Sequence, residues 1–399
     1  MTMEQKSKHY VIKEETRKRC KVFKIDETSF KRFRKLNHEQ FPVLKEAGSI
    51  NFPIYFRAGD EMIEFIRPEE FSPLLIDQIK TTLEKPLGQI DVFVLVADYP
   101  KYQNAITSVR QKKYKHVLEL DPTLDPKVME VFEDLSAASQ MIVKGGINNL
   151  VVTKAKEAVS KLMESQLESA VSIGTLSRMI LCDSTLYDHS ASVAMLAGII
   201  ATQLIKTPLS KEEVELVSQG GLYHDAGKTC VPNDILNKPG KFSPEEYDVM
   251  KTHTTLGNEE LIKAITKGAP IDRLVAKVAL EHHERWDGHG YPFGKKGRLE
   301  DDPHGIHLYA RIVMIADVYS ALIMKRVYKE AYTPQKAIAI MKDLAPTDYD
   351  MEIFEPFRNM IDKSIKLYEE KEKQLDKSHL IILGEKDSFA NALRKLSHK

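Results

Sequence analysis

Histidines are concentrated in one stretch of this chain. Of the 13 histidines in 399 residues, eight lie between His189 and His307. Imidazole nitrogen binds divalent transition metals and also serves in acid–base chemistry, so the cluster indicates one of these two roles. The three cysteines (Cys20, Cys182 and Cys230) lack CxxC spacing and predict neither a disulfide framework nor a thiolate zinc site. A metal centre here would use nitrogen and oxygen ligands.

Several of these histidines fall on helix faces that otherwise carry apolar residues. His189 precedes Val193 and Leu196 at i+4 and i+7, and His282 follows Val278 at a step of four. A single histidine in such a row is usually a hydrogen-bonded core residue. The other residues predicted to face inward are His224 with its neighbour Asp225, His253, His283 and Asp317. Inward ligands from five predicted helices favour a metal site over independent buried histidines, and they exceed what one four-coordinate ion needs.

The elements that must position these residues are predicted to be helices. Ser210 with Glu213, and Ser243 with Glu246, have the spacing of capping boxes. Residues 127–181 place apolar side chains three to four apart, and the helical pattern resumes at residue 185 and continues to about residue 373. In particular, one helix starting at Ser243 is predicted to carry His253. The chain is therefore predicted to be mainly α.

The first part of the chain has a different character. Strand-like runs are predicted over residues 21–25, 50–56, 62–66 and 90–97, with a turn at residues 58–60. This pattern predicts a small α+β domain over residues 1–120. Two prolines within Asp121–Pro126 interrupt any helix and predict a linker.

Composition excludes several classes of protein. Lys+Arg and Asp+Glu both number 58, so the formal net charge is zero and a nucleic-acid polymer is not expected as a partner. The longest apolar run, residues 193–205, is shorter than the roughly 20 residues that span a bilayer. The first ten residues are polar and have no secretion-signal core. A cytoplasmic protein without a membrane span is the expectation.

Two motifs carry a family resemblance. The first is His224-Asp225 followed by Gly227-Lys228, and the second is His282-His283-Glu284-Arg285-Trp286-Asp287-Gly288-His289-Gly290-Tyr291-Pro292. With these motifs, residues 185–357 resemble the HD-GYP subgroup of the HD hydrolase superfamily. The resemblance implies an all-helical catalytic domain, here residues 185–373, that hydrolyses the bacterial messenger cyclic di-GMP to pGpG and, in some members, GMP.

The same resemblance implies roles for individual residues. The metal residues would be His189, His224, Asp225, His253, His282, His283 and Asp317. Asp225 would bridge two divalent ions, with Fe or Mn expected first and Zn, Co or Ni also compatible. Lys228, Arg326 and Lys329 would contact substrate phosphates, and the Gly290-Tyr291-Pro292 loop would lie beside the site. Hydrolysis would use a hydroxide activated by the two metals, with Asp225 and Lys228 as the catalytic pair.

Four positions depart from the family pattern. Thr185 stands where some members have a glutamate that binds a third ion, so two ions are predicted. Ser320 stands at a frequent aspartate and Val327 at a frequent proline, while His289 occupies a usually small position. These changes affect the surroundings of the predicted centre and leave its two-metal ligands in place.

Other assignments stay open at this point. The family resemblance does not extend to residues 1–120, which are expected to be regulatory or to dock a partner. Residues 121–184 would form the linker and long amphipathic helices, with 127–181 a candidate homodimer surface, and residues 374–399 a charged tail. The alternative functions are a cyclic-dinucleotide receptor with negligible turnover, another HD-superfamily nucleotide phosphohydrolase, and a di-iron oxygenase.

Overall fold

In the computed structural model, the described residues are 20–36, 41–58, 60–76, 92–165, 167–182, 188–203, 208–236, 238, 240–297, 304–324 and 331–374. The chain forms two compact units, residues 1–116 and residues 117–399. The predicted fold class, mainly α with a small α+β part at the N-terminus, is confirmed. Among the described helices, none combines the length and the apolar character needed to cross a membrane.

The described part of the first unit contains a five-stranded antiparallel sheet. Its strands are β1 (Lys21–Lys24), β2 (Phe33–Lys35), β3 (Ile54–Ala58), β4 (Glu61–Ile66) and β5 (Val92–Leu95), in the order β1-β4-β3-β5-β2. The short helix α1 (Glu27–Phe30) and the long helix α2 (Tyr99–Leu120) complete it. Tyr102 and Ile106 of α2 pack in one buried cluster with Phe56 and Ile63 of the sheet. Sequence patterning missed β2 because it is three residues long with a charged centre, and Gly59 of the predicted turn lies outside the described residues.

The described part of the second unit is a helical bundle. Its helices are α3 (Pro126–Gly145), α4 (Asn149–Glu164), α5 (Ser169–Cys182), α6 (His189–Gln203), α7 (Lys211–Tyr223), α8 (Asn233–Leu236), α9 (Pro244–Lys251), α10 (His253–Thr266), α11 (Arg273–Glu281), α12 (Leu308–Ile323), α13 (Pro334–Asp348) and α14 (Met351–Gln374). Residues 191–200 of α6 are all buried, so α6 is the central helix, and α3, α7 and α12 pack against it. The predicted capping boxes at Ser210 and Ser243 are both present.

The observed helix ends differ from the predicted ones at three of the predicted metal ligands. The predicted single helix through His253 is wrong, because α9 ends at Lys251 and a new helix begins at His253. Likewise α7 ends at Tyr223 and α11 at Glu281, so that His224 and His282 occupy C-cap positions. Three of the histidines predicted as metal ligands therefore lie at helix ends.

The predicted break between residues 120 and 126 separates helix α2 from helix α3. Hydrogen bonds hold this segment to the helical bundle. Asp121 is buried, and its Oδ2 accepts a hydrogen bond of 2.8 Å from Nε of Arg178 on α5. Its Oδ1 accepts from the backbone N–H and the hydroxyl of Thr123. The Tyr368 ring of α14 lies over the Arg178 guanidinium at 5.3 Å. This buried ion pair joins three parts of the bundle.

Candidate metal centre

The structure brings the seven residues predicted as metal ligands into one buried cluster. His189 and His253 are the first residues of α6 and α10, while His224 and His282 follow the last residues of α7 and α11. The remaining members of the cluster are Asp225, His283 and Asp317. Four helix ends and the middle of α12 thus contribute to one small volume.

The cluster divides into overlapping groups of three. In each group one ligand atom per residue lies within 4.8 Å of the others. The groups are His189, His224 and Asp317; His253, His282 and His283; and His224, Asp225 and His282. The third group shares a member with each of the other two. The cluster therefore has two ends, with Asp225 between them.

The carboxylate of Asp225 contacts both ends. Its Oδ2 lies 3.2 Å from Nε2 of His224, and its Oδ1 lies 3.4 Å from Nε2 of His253. At the first end, Oδ1 of Asp317 lies 3.0 Å from Nε2 of His189. Each oxygen of Asp225 thus faces a different end of the cluster.

Hydrogen bonds to the backbone determine the tautomer of three imidazoles. In each one, Nδ1 lies 2.7–2.9 Å from the carbonyl oxygen three residues earlier, on Gly221 for His224, Met250 for His253 and Ala279 for His282. A carbonyl only accepts, so Nδ1 must donate, and in the neutral ring Nε2 then carries a lone pair. This support is usual for metal-bound histidine.

Those lone pairs need a cation. Nε2 of His253 and Nε2 of His282 lie 3.4 Å apart, and with both protons on Nδ1 two lone pairs face each other. Within the described part of the chain, Nε2 of His224 and Oδ1 of Asp225 are buried without a hydrogen bond. Buried polar atoms without a partner are rare and costly. The donor set therefore fits divalent transition metals.

Burial and neighbouring charges shift the pKa values of the cluster. Burial lowers the pKa of His283 to about 4 and holds the pKa of His282 well below the usual histidine range. The shifts of Asp225 and His224 are coupled: the pKa of Asp225 is well below its ordinary value despite burial, because His224 and Lys228 lie beside it, and the pKa of His224 is raised despite burial, because the carboxylates of Asp225 and Asp317 lie beside it. Metal binds to neutral imidazoles, so a bound cation would take the place of a proton on His224.

Asp225 is held in place by a close backbone contact. It precedes a 3-10 turn, Ala226–Cys230, that packs on α10. A Cβ on Gly227 would lie 2.0 Å from the carbonyl oxygen of His253 and 2.4 Å from the backbone nitrogen of Gly257, so only glycine fits there. The next residue, Lys228, donates from Nζ to Oδ2 of Asp225 and is partly exposed.

The Gly290-Tyr291-Pro292 loop lies against the second end of the cluster. The Tyr291 ring is 4.7 Å from the His283 ring at an interplanar angle of 31°, and the Tyr291 amide donates to the His283 carbonyl. Glu284 is fully buried, and its carboxylate accepts 2.8 Å hydrogen bonds from the amides of Phe293 and Lys295. A buried carboxylate thus anchors the loop immediately after the two histidines predicted as ligands.

A neighbouring carboxylate extends this anchor. Glu281, one turn earlier and also buried, binds the ammonium of Lys295 and accepts a 2.8 Å bond from the amide of His307, the N-cap of α12. Neither Glu281 nor Glu284 had been assigned a role from the sequence. The sequence signal for Glu284 is its position inside the second motif. No motif or periodicity indicates a role for Glu281.

We expect Glu284→Gln to loosen the loop without unfolding the bundle. The amide oxygen of glutamine can still accept one of the two backbone hydrogen bonds. Its NH2 group is a donor and would face the other backbone N–H, which is also a donor. Hydrogen bonds to charged groups contribute about 1.5–3 kcal/mol, so hydrogen exchange over residues 288–297 should become roughly 10- to 100-fold faster. Glu260→Gln, which changes an exposed carboxylate on α10, is the matched control. Equal exchange in the two variants would refute the anchoring role.

Of the remaining positions singled out in the sequence, Ser320 and His289 lie within the described residues. Ser320 donates to or accepts from Nδ1 of His189 at 2.8 Å, so it supports a predicted ligand. His289 is exposed and pairs with Asp287 at the surface, 3.1 Å away. Arg326, Lys329, Thr185 and Val327 lie outside the described residues.

Comparison with known proteins identifies the domain that holds this cluster. The profile of the HD domain family matches residues 175–353, which include all seven clustered residues. This match covers a little under half of the chain. The HD family is metal-dependent, in agreement with the donor set described above, and the predicted resemblance to the HD superfamily is confirmed.

Relatives of this HD domain act on cyclic dinucleotides. A cyclic di-GMP phosphodiesterase of Thermotoga maritima is 35% identical over 49% of this chain and 50% of its own length. The 3'3'-cGAMP-specific phosphodiesterase 3 of Vibrio cholerae serotype O1 is 32% identical over 58% of this chain and 48% of its own. The chain thus spans about half the length of these curated relatives.

A solved structure shows the same fold. Bd1817, an HDG"Y"P protein from Bdellovibrio bacteriovorus, aligns with a TM-score of 0.50 and 18% identity, over 83% of this chain and 99% of its own. At this identity the likeness shows the fold alone.

Proposed function

We propose that this chain is a metal-dependent phosphodiesterase that hydrolyses cyclic di-GMP to pGpG, with GMP as a further product. The single observation that supports it most is the placement of Asp225, with one carboxylate oxygen toward each end of a histidine cluster. A relative named as a cyclic di-GMP phosphodiesterase shares this domain at 35% identity. The proposal also explains why the loop with Tyr291 lies directly against a ligand histidine.

Two divalent ions, Fe or Mn, are proposed for the two ends of the cluster. His189, His224 and Asp317 would hold one, His253, His282 and His283 the other, and Asp225 would contribute to both. Once bound, such ions supply a nucleophile from water at neutral pH and compensate the charge of a phosphodiester. Histidines bind a metal in their neutral form, so among the proposed ligands only Asp225 and Asp317 would offset the positive charge of the ions.

The chain's own residues orient the substrate around the cluster. Lys228 is partly exposed and lies beside Asp225, so its ammonium can neutralise charge that develops on the phosphate under attack. The Tyr291 ring packs beside His283 and would shield that side of the bound ions from bulk water. Arg326 and Lys329, for which the assignment rests on the sequence, are proposed to hold the second phosphate.

The receptor alternative has less support. It was motivated by Ser320 at a position where many relatives of this kind have aspartate. The Ser320 hydroxyl is within 2.8 Å of Nδ1 of His189, so the substitution still leaves this imidazole supported. A second candidate substrate, 3'3'-cGAMP, is favoured by the relative that is named for it.

Metal analysis coupled to product identification tests the proposal. The full chain is loaded anaerobically with Fe(II) or with Mn(II), its metal content is measured, and products from cyclic di-GMP and 3'3'-cGAMP are separated by chromatography. We expect two metal equivalents and release of pGpG. Binding of cyclic di-GMP without turnover by the loaded protein would favour the receptor, and preferential cleavage of 3'3'-cGAMP would reassign the substrate.

A further inference from the structure

We propose that Tyr247 and Lys251 form a nucleobase subsite at the outer edge of the metal centre, where Tyr247 stacks on a guanine and Lys251 donates to its acceptor edge. The inference rests on the proposed function and specifies how the substrate would be recognised. Both residues lie on α9, outside the two sequence motifs.

The two side chains share one face of a short surface helix. They are four residues apart, which places them on adjacent turns. Nζ of Lys251 lies 5.1 Å from the centroid of the Tyr247 ring and 6.0 Å from the centroid of the Tyr291 ring. The Tyr291 ring in turn lies against His283. The ammonium of Lys251 therefore lies between the rings of Tyr247 and Tyr291, on the side of Tyr291 that leads away from His283.

Tyr247 is open to a planar ligand. It is 49% exposed, whereas Tyr291 is partly buried against the imidazoles. The helix that carries it, α9, has no fully buried residue among its eight, so the ring of Tyr247 is not part of the core. An exposed aromatic ring offers a face on which a nucleobase can stack.

Lys251 is available to a ligand as well. Its present partner is Asp248 on the same helix, with Nζ and Oδ1 2.6 Å apart, and the Asp248 side chain is 71% exposed. Such an exposed pair contributes only about 0–1 kcal/mol, so the ammonium can turn to a stronger acceptor. Guanine presents two acceptors, O6 and N7, on one edge, whereas adenine presents N7 beside an amino donor. A lysine at this position therefore favours guanine over adenine.

Four variants of the full Mn-loaded chain test the subsite. Tyr247→Leu removes the aromatic face, Tyr247→Phe keeps it, and Lys251→Met removes the ammonium. Lys263→Met is the matched control, because Lys263 forms the same kind of i,i+3 pair with Glu260 at an exposed position. Kinetics with cyclic di-GMP are compared with those of bis(4-nitrophenyl) phosphate, which has no nucleobase, and dissociation constants are measured for cyclic di-GMP and cyclic di-AMP.

Stacking on one base contributes about 1–3 kcal/mol, so Tyr247→Leu should raise KM for cyclic di-GMP roughly 5- to 100-fold. The ratio of kcat/KM for cyclic di-GMP to that for bis(4-nitrophenyl) phosphate should fall, and Tyr247→Phe should restore it. Lys251→Met should reduce the preference for cyclic di-GMP over cyclic di-AMP about tenfold. Lys263→Met should match the wild type in all three measurements.

The outcomes separate this inference from the proposed function. A wild type that does not hydrolyse cyclic di-GMP contradicts the proposed function, and the dissociation constants then test the subsite alone. Wild-type constants for Tyr247→Leu overturn the stacking role. Equal loss of both cyclic dinucleotides in Lys251→Met overturns the guanine contact, since a phosphate contact would not discriminate between bases.

Discussion

Replacing Asp225 by asparagine is expected to abolish most of the proposed hydrolysis. The carboxylate has one oxygen toward His224 and the other toward His253, and an amide would direct an NH2 donor at one of these ends. Loss of a bridging carboxylate removes both a metal ligand and the alignment of the pair, so we expect kcat to fall at least roughly a thousandfold. Metal content should fall from two equivalents to one or fewer.

Asp343→Asn is the matched control, because it makes the same change at an exposed position on α13. It should retain both metal equivalents and wild-type turnover. The measurements are elemental analysis of the purified variants and chromatography of the products. An Asp225→Asn protein with two metals and wild-type turnover would show that the cluster does not work as proposed.

The second large effect is expected on stability. In Arg178→Met, the carboxylate of Asp121 stays buried without its guanidinium partner. Breaking a buried ion pair from one side typically costs about 3–5 kcal/mol, so the free energy of unfolding should fall by that amount. Denaturant titration of the second unit's helical signal measures it.

Two further variants make this prediction specific. Arg358→Met removes a partly exposed arginine of α14 that pairs with Glu355 at the surface, and surface pairs contribute about 0–1 kcal/mol. The double variant Asp121→Asn with Arg178→Met should recover part of the loss, since Asn keeps an acceptor for Thr123 and buries no charge. Equal stability of Arg178→Met and Arg358→Met would contradict a structural role for the buried pair.

The residues of the cluster were accessible from sequence because each one interrupts an apolar row. His189 and Asp317 stand where helix patterning predicts leucine or alanine, and the structure places the partly buried His189 beside the buried Asp317. Periodicity suffices for this because it depends only on which side of a helix faces the core. Their role as metal ligands stays a prediction until the metal is measured.

Other features depend on contacts between distant segments and could not be predicted. The break at Thr252 lies where Nδ1 of His253 bonds to the Met250 carbonyl and where Gly227 packs against α10. The buried pair of Asp121 and Arg178 joins residues 57 apart in the chain. Local propensity carries no information on such pairings, so the segment at residue 121 had been predicted as a simple linker.

The hydrogen bonds from three imidazoles to carbonyls three residues earlier have a consequence for protein engineering. Each of these bonds is made within four consecutive residues, 221–224, 250–253 and 279–282, which form a short cassette at the end of a helix. Grafted onto the ends of helices in another bundle, a cassette would transfer both the ligand and its tautomer. Asp225 is not portable in this way, because its place depends on a glycine fitting beneath the backbone of a second helix.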